Sequence, residues 1–271
     1  GEMIDLEDTG LEQLDELAST MNLTAKDFKK ETIEKPAYQA FHLMDVDSEL
    51  DVRNDDSVTE YTNRLMKVKE QAIQLKDEYK SLLRTYQQQG IQWLYDLKNM
   101  GLNGILADDM GLGKTLQVIC YLLSEYQERE IQEKSKKEPV EKEQDIENEG
   151  RQREKESSDD QLRRNALIVA PASLVYNWNS ELERFAPRLA VRMIVGTAAQ
   201  RRTLLEAADE GEILITSYDL LRRDIDFYKK YRFRCQIIDE AQYIKNHSTQ
   251  AAKAVKKIKA DTRFALTGTP V

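Results

Sequence analysis

Two glycines, a lysine and a threonine stand together at Gly111-Leu-Gly113-Lys114-Thr115, and two carboxylates are adjacent at Asp239-Glu240. These residue types suit phosphoryl transfer. Glycines let a backbone turn its N–H groups toward phosphate oxygens, and a following helix N-terminus favours an anion. Lys114 would reach the terminal phosphates of a nucleotide, and Thr115 would ligate Mg²⁺. Asp239 follows the apolar run Gln236-Ile-Ile, and a carboxylate at a strand's end can hold Mg²⁺, usually through water. Glu240 can then act as base toward an attacking water. Each signal is incomplete alone. The strict pattern G-x-x-x-x-G-K-[ST] is a near miss, because Asp108 stands where the first Gly belongs. A bare Asp-Glu pair is common. Together they supply the charge neutralisation and positioned water that phosphoryl transfer needs.

Residues so far apart in sequence must be brought together by a scaffold. Short apolar runs predict strands at Gly104–Ala107, Ala166–Ala170, Val191–Val195, Ile213–Thr216, Gln236–Asp239 and Arg263–Leu266. Helical stretches fall between them at Lys114–Glu125, Leu174–Phe185, Ala198–Ala208 and Thr249–Lys259. Apolar strands alternating with helices imply an α/β fold with a parallel sheet covered on both faces. Such sheets bind ligands at the carboxyl ends of their strands, so Lys114 and Asp239 would face one crevice.

Charge is uneven along the 271 residues. The chain carries 49 Asp+Glu against 40 Lys+Arg, a formal net charge of −9. Residues 1–80 hold 20 acidic and 10 basic side chains, whereas residues 165–271 hold 12 and 17. The acidity therefore belongs to the front of the chain and does not exclude nucleic acid at the back. Residues 126–164 contain 23 charged residues among 39, too polar to bury a core, and read as a solvated helix extension or a disordered insert. Residues 1–80 show helical spacing at Leu11, Leu14, Leu17 and Met21 and again at Leu65, Val68, Ala72 and Leu75, with no residue pattern that carries chemistry. The start Gly1-Glu2-Met3 reads as an artificial junction. Two cysteines make no disulfide scaffold and suit a reduced interior, and no apolar run approaches the ~20 residues of a membrane span. Basic clusters with interleaved aromatics, Arg222-Arg223 and Lys229-Lys-Tyr-Arg-Phe-Arg234, read equally as part of a nucleic-acid track or as a solvated surface over an inward Phe233.

Six motifs in order carry a resemblance. Leu83-Arg-Thr-Tyr-Gln87-Gln-Gln-Gly90 resembles the entry motif of the Swi/Snf-type ATPases of helicase superfamily 2, and Asp108-Asp-Met-Gly-Leu-Gly-Lys-Thr115 resembles their motif I, which tolerates the lost first glycine. Ala166 to Trp178 resembles motif Ia, Ile213 to Asp219 motif Ib, Asp239-Glu-Ala-Gln242-Tyr-Ile-Lys-Asn246 motif II, and Leu266-Thr-Gly-Thr-Pro270 motif III. Asp109 replaces a commoner Glu, Thr85 a usual Pro, and Gln242 the His of the familiar Asp-Glu-Ala-His form, a change frequent among bacterial members.

The resemblance implies a three-layer RecA-like P-loop domain with a mainly parallel sheet over 81–271, interrupted at 126–164 and preceded by a mostly helical, acidic extension at 1–80. It implies ATP and Mg²⁺ as cofactors. Arg84 and Gln87 would lie at adenine. Asp108, Asp109, Met110, Gly111, Leu112, Gly113, Lys114 and Thr115 would cradle the phosphates. Asp239, Glu240 and Gln242 would serve catalysis, with Thr115 and Asp239 on the metal. Pro171, Ser173, Thr216 and Ser217 would touch the backbone of duplex DNA, and Thr267, Gly268 and Thr269 would couple the nucleotide to DNA and to lobe movement. The implied activity is a DNA-dependent ATPase that remodels protein–DNA complexes, with an unidentified protein target, no membrane partner, and residence at a bacterial nucleoid or, in a eukaryote, the nucleus. The sequence stops one residue after motif III, so the second RecA-like lobe with its arginines lies outside it.

Overall fold

The computed structural model describes residues 72–75, 77–137 and 162–268, with a few short stretches among the first 71. The chain divides into two compact units, Gly1–Gln71 and Ala72–Val271. In the first, among the described residues, a 3₁₀ turn at Asp27–Lys29 is closed by the Thr24 N–H and hydroxyl, which donate to Asp27 Oδ2 at 2.9 and 2.7 Å. The helical readings around Leu11–Met21 and Leu65–Leu75 fall largely outside the described residues.

The second unit is an α/β sandwich. Its helices are α1 (Asp77–Leu82), α2 (Thr85–Asn99), α3 (Lys114–Lys137), α4 (Val175–Phe185), α5 (Ala198–Glu206), α6 (Tyr218–Tyr228) and α7 (Gln250–Lys257). Its strands are β1 (Gly104–Leu106), β2 (Leu162–Ala170), β3 (Val191–Met193), β4 (Ile213–Ser217), β5 (Tyr231–Ile238) and β6 (Lys259–Leu266). They form one sheet in the order β1-β6-β5-β2-β4-β3, every pairing parallel.

Strand alternation decides which helix meets which face. Ala166, Ile168 and Ala170 of β2 point into a core with Ile91 of α2, Val118 and Tyr121 of α3, and Trp178 and Leu182 of α4. Leu167 and Val169 point the other way, onto Leu205 of α5, Leu221 and Tyr228 of α6, and Val255 of α7. The central strands are thus apolar on both sides, as the runs in the sequence require.

Several elements differ from the sequence-based expectations, among them β6, which starts at Lys259 rather than Arg263, and three show the physical reason. First, α3 continues as helix to Lys137. Its first turns bury Val118 to Leu123 against the sheet, and the charged turns beyond Tyr126 extend the same helix past that core. Helix thus runs through Lys137, residues 138–161 lie outside the described set, and Leu162 to Arg164 already belong to β2. Second, β5 starts at Tyr231 rather than Gln236. Its first half alternates buried Tyr231 and Phe233 with exposed Arg232 and Arg234, a half-buried strand that a search for continuous apolar runs misses. Third, α6 was not expected as a helix. Its inner face includes Asp224, which makes a buried two-pronged pair with Arg201 of α5 (Nε–Oδ2 2.5 Å, Nη2–Oδ1 2.8 Å). A polar residue on the inward stripe hides the apolar periodicity.

Candidate nucleotide site at the carboxyl edge of the sheet

The loops leaving β1, β2, β4, β5 and β6 all emerge at one edge, because all five strands run parallel. The β1–α3 loop carries the glycines. Gly111 and Gly113 adopt φ of 82° and 79°, left-handed values that only glycine takes without strain. A side chain at Gly113 would also meet Gln87 Nε2 at 2.5 Å. Gln87 reaches this loop from α2, donating to the Leu112 carbonyl at 3.0 Å, and the Tyr86 hydroxyl donates to the same oxygen at 3.0 Å. Gln87 Oε1 accepts from the Arg84 N–H at 2.9 Å. Arg84, Gln87 and the loop are thus one connected unit.

Asp108, in place of a glycine, is tied down by Gln117, whose Nε2 donates to Asp108 Oδ2 at 2.9 Å from inside α3. Gln117 is fully buried, and its amide lies over Gly90, where a Cβ would sit 2.0 Å from Gln117 Oε1. Gly90 and Gln117 therefore fit each other, and together they hold the loop's first turn. Lys114 Nζ donates to the Asp108 and Asp109 carbonyls at 2.5 and 3.0 Å, and Thr115 follows in the first turn of α3. Met110 is exposed and packs near Gly268, where a Cβ would meet Met110 Cγ at 2.6 Å and Lys114 Nζ at 3.8 Å. The turn after β6 thereby closes onto the phosphate loop.

The carboxylates stand across the same edge. Asp239 is 9% exposed. Burial raises its carboxyl above the usual aspartate range, opposed by hydrogen bonds from Trp178 Nε1 (2.8 Å to Oδ2) and from the Glu240 N–H (2.9 Å to Oδ1). Glu240 sits in left-handed backbone (φ 51°, ψ 56°), the one non-glycine with positive φ among the described residues. Gln242 Nε2 donates to Glu240 Oε2 at 2.5 Å, and Gln242 Oε1 accepts from Thr267 Oγ1 at 3.1 Å. Thr267 is buried, and its N–H donates to the Leu106 carbonyl at 3.1 Å, the last residue of β1. Thr269 lies outside the described residues.

The four residues expected at DNA divide. Ser173 is exposed in a 3₁₀ turn (Ala172–Leu174) beyond β2, and Pro171 before it is buried. Thr216 is fully buried and donates its hydroxyl to the Ile194 carbonyl at 3.3 Å. Ser217 is buried and caps α6, accepting from the Leu220 N–H at 3.3 Å. The basic cluster lies elsewhere. Arg232 and Arg234 lie in the first half of β5, before its carboxyl end, roughly 17–23 Å from Asp239 at ~3.3 Å per residue. Arg232 pairs with Asp261 (2.7 Å), Lys229 with Asp226 (2.6 Å) and Lys230 with Glu206 (3.8 Å), so most of this charge is spent locally.

Four residues of the site were not legible as such in the sequence. Trp178 has core spacing, yet its indole N–H fixes Asp239. Gln117, Tyr86 and Tyr218 act through main-chain or second-layer contacts that no local pattern announces; the Tyr218 hydroxyl donates to the Asp239 carbonyl at 2.5 Å.

The loop, lysine and acidic strand end on a parallel sheet define a RecA-like P-loop nucleotide-binding lobe. The donors present fit an Mg²⁺-bound nucleoside triphosphate: a left-handed glycine cradle for phosphates, and one ionisable aspartate with a threonine hydroxyl for an ion that keeps most of its waters. No group of three or more His, Cys, Asp or Glu suited to an all-protein metal cage occurs among the described residues.

Residues 86–271 match the SNF2-related domain, and residues 1–76 match a segment described as bacterial SNF2 helicase associated. The chain belongs to the SNF2-related family. It is 36% identical over 242 residues to an uncharacterized ATP-dependent helicase of Mycoplasma pneumoniae, covering 87% of this chain and 20% of that protein. It is 38% identical over 192 residues to the TATA-binding protein-associated factor MOT1 of Saccharomyces cerevisiae, covering 71% of this chain and 9% of the relative. In structure it is similar to the Sulfolobus solfataricus SWI2/SNF2 ATPase core in complex with dsDNA, with TM-score 0.50, 32% identity, and coverage of 69% of this chain and 32% of that one. The chain thus spans at most about a fifth of the curated relatives named here. No described helix is long and apolar enough to cross a membrane.

Proposed function

We propose that this chain is the first RecA-like lobe, residues 81–271, of an ATP-driven translocase on duplex DNA that remodels protein–DNA complexes, preceded by an accessory segment at 1–80. The observation that carries the reading is the junction of three strand ends: Lys114 after β1, Asp239-Glu240 after β5 and Thr267 after β6, with Gln242 joining Glu240 to Thr267 and the Thr267 N–H bonded to the end of β1. Mg²⁺ supplies charge neutralisation at the phosphates and orders the nucleotide. Lys114 and the N–H groups of the loop hold the phosphates. Thr115 and Asp239 hold the ion, and Asp239 is kept in one orientation by Trp178. Glu240 takes a proton from the attacking water, and Arg84 and Gln87 fix the base end.

Duplex DNA lies along the ends of β2 and β4 in this reading. Ser173 and the main chain around Ser217 face it; phosphate contacts of this kind position a duplex without reading its bases. A relative with a duplex-bound structure and another whose name ties it to a DNA-bound factor support this partner. The protein target and residence at the chromosome belong to the same proposal.

An arginine from a second lobe, placed across the cleft, is worth ~10³–10⁵ in rate in related phosphate-transferring systems. The test measures ATP turnover by the full-length protein that carries this lobe, with duplex DNA, single-stranded DNA and single-stranded RNA. Stimulation by duplex DNA, abolished by Lys114→Ala, is expected. Stimulation by single-stranded RNA alone would instead indicate another superfamily-2 motor, and nucleotide binding without turnover a scaffold.

A further inference from the structure

Tyr218 brackets Glu240 in sequence, contacting Asp239 before it and Tyr243 after it. It is the first residue of α6, directly after Ser217 at the end of β4. Its hydroxyl donates to the Asp239 carbonyl at 2.5 Å, and that carbonyl belongs to the peptide plane joining Asp239 to Glu240. The N–H of the same plane, that of Glu240, donates to Asp239 Oδ1 at 2.9 Å, and the preceding peptide is held from β2, where the Val169 carbonyl accepts the Asp239 N–H at 2.8 Å. The orientation of the peptide sets the backbone angle of Glu240, which is left-handed at φ 51°. A non-glycine residue persists in that region only when its surroundings impose it. On the far side, the Tyr218 ring stacks on Tyr243, with centroids 5.6 Å apart and planes 7° from parallel. Tyr243 lies in the 3₁₀ turn Ala241–Ile244 after Glu240, and its N–H donates to the Glu240 carbonyl at 3.0 Å.

Tyr218 is buried, whereas Tyr243 is 59% exposed at the same edge of the sheet. One ring therefore connects an exposed aromatic, the end of β4 and the peptide that aims the general base. We propose that Tyr218 is a positioning residue for Glu240 and that Tyr243 is its exposed lever. A duplex lying against the end of β4 and Tyr243 would shift the stack, and Tyr218 would pass the shift to the Asp239–Glu240 peptide. The inference rests on the duplex-DNA reading above and deepens it by naming the residues through which DNA reaches the base.

The experiment uses the full-length protein carrying this lobe, with Tyr218→Phe, Tyr243→Ala and Tyr243→Phe. ATP turnover is measured without DNA and across a titration of a defined duplex, together with KM for ATP and Tm. Tyr218→Phe keeps the stack but loses the carbonyl contact. It should lower DNA-stimulated kcat by roughly 5-fold or more, the lower end of ordinary coupling, with KM for ATP unchanged. Tyr243→Ala should lower the ratio of stimulated to basal turnover by a similar factor, and Tyr243→Phe, which keeps the ring, should restore it. A structural role would lower Tm and reduce basal and stimulated rates in proportion. That outcome, or unchanged ratios in Tyr218→Phe and Tyr243→Ala, overturns the inference while leaving the DNA reading intact. A wild-type protein that duplex DNA does not stimulate overturns both.

Discussion

Thr267 Oγ1 donates to Gln242 Oε1 at 3.1 Å, and the same Gln242 side chain donates from Nε2 to Glu240 Oε2 at 2.5 Å. An amide has one acceptor and one donor end, so Gln242 passes a fixed orientation from the β6 end to the proposed base. Thr267→Val removes the donor at nearly constant shape. It should lower kcat by about 10-fold with little change in KM for ATP, because the lost contact acts on the positioned base and not on substrate binding. Thr267→Ser, which keeps the hydroxyl, should recover most of the rate. Steady-state kinetics on the full-length protein decide this; a rise in KM with unchanged kcat would place Thr267 in nucleotide binding instead.

Glu240 holds left-handed backbone that costs a non-glycine residue about 1–2 kcal/mol. Glu240→Gly should therefore raise the stability of the lobe by roughly 1 kcal/mol, seen as ~2–4 °C in Tm for a unit of this size, while abolishing turnover. Glu240→Gln should abolish turnover with no such gain. A drop in Tm for the glycine variant would mean that the conformation is not strained in solution.

Asp239 gives a pH dependence with a definite sign. Burial raises its carboxyl above 3.8 in the folded protein, so the folded state holds the proton more tightly than the unfolded one. The stability from this group is present in full below pH 3.8 and is lost as pH rises through the raised value. Mg²⁺ needs the ionised form, so Mg²⁺-nucleotide affinity should climb over that same window. Calorimetric titrations at stepped pH check this. Trp178→Phe, which deletes a hydrogen bond that favours the carboxylate, should move the window upward.

The Arg201–Asp224 pair anchors α5 to α6. Arg201 Nη1 also donates to the Gly196 carbonyl at 2.6 Å, so each of its three nitrogens donates inside the fold. Removing one partner leaves a buried charge, and Arg201→Ala should destabilise the lobe by about 3–5 kcal/mol. A double change, Arg201→Met with Asp224→Leu, should cost less than either single change. Urea denaturation of all three variants measures it, and a simple sum of the two single effects would show that the groups do not interact.

The sequence by itself determined the layers and the edge. Six apolar runs separated by helical stretches dictate a parallel sheet covered on both faces, since runs such as Ala166–Ala170 have no polar side to show to water. Parallel strands then place every loop after a carboxyl end at one edge, which is why Lys114 and Asp239 could be paired on spacing and type alone. The mixed-period elements were less legible. The start of β5 alternates buried and exposed residues and so shows no continuous apolar run, while the inward Asp224 of α6 breaks the apolar stripe because Arg201, distant in sequence, neutralises it.

The tertiary structure alone decided how the site is held. Gln117 against Gly90 and Asp108, Trp178 on Asp239, and Tyr218 on the Asp239 carbonyl join residues 9 to 61 positions apart. None of these contacts has a local signature, since each depends on two elements packing at a fixed distance. It also moved the basic cluster of Arg232 and Arg234 to the opposite end of β5, and turned the hydroxyls of Thr216 and Ser217 inward. Side-chain chemistry is written in the residue types. Whether a hydroxyl meets solvent or a buried carbonyl is settled only when the strands have taken their register.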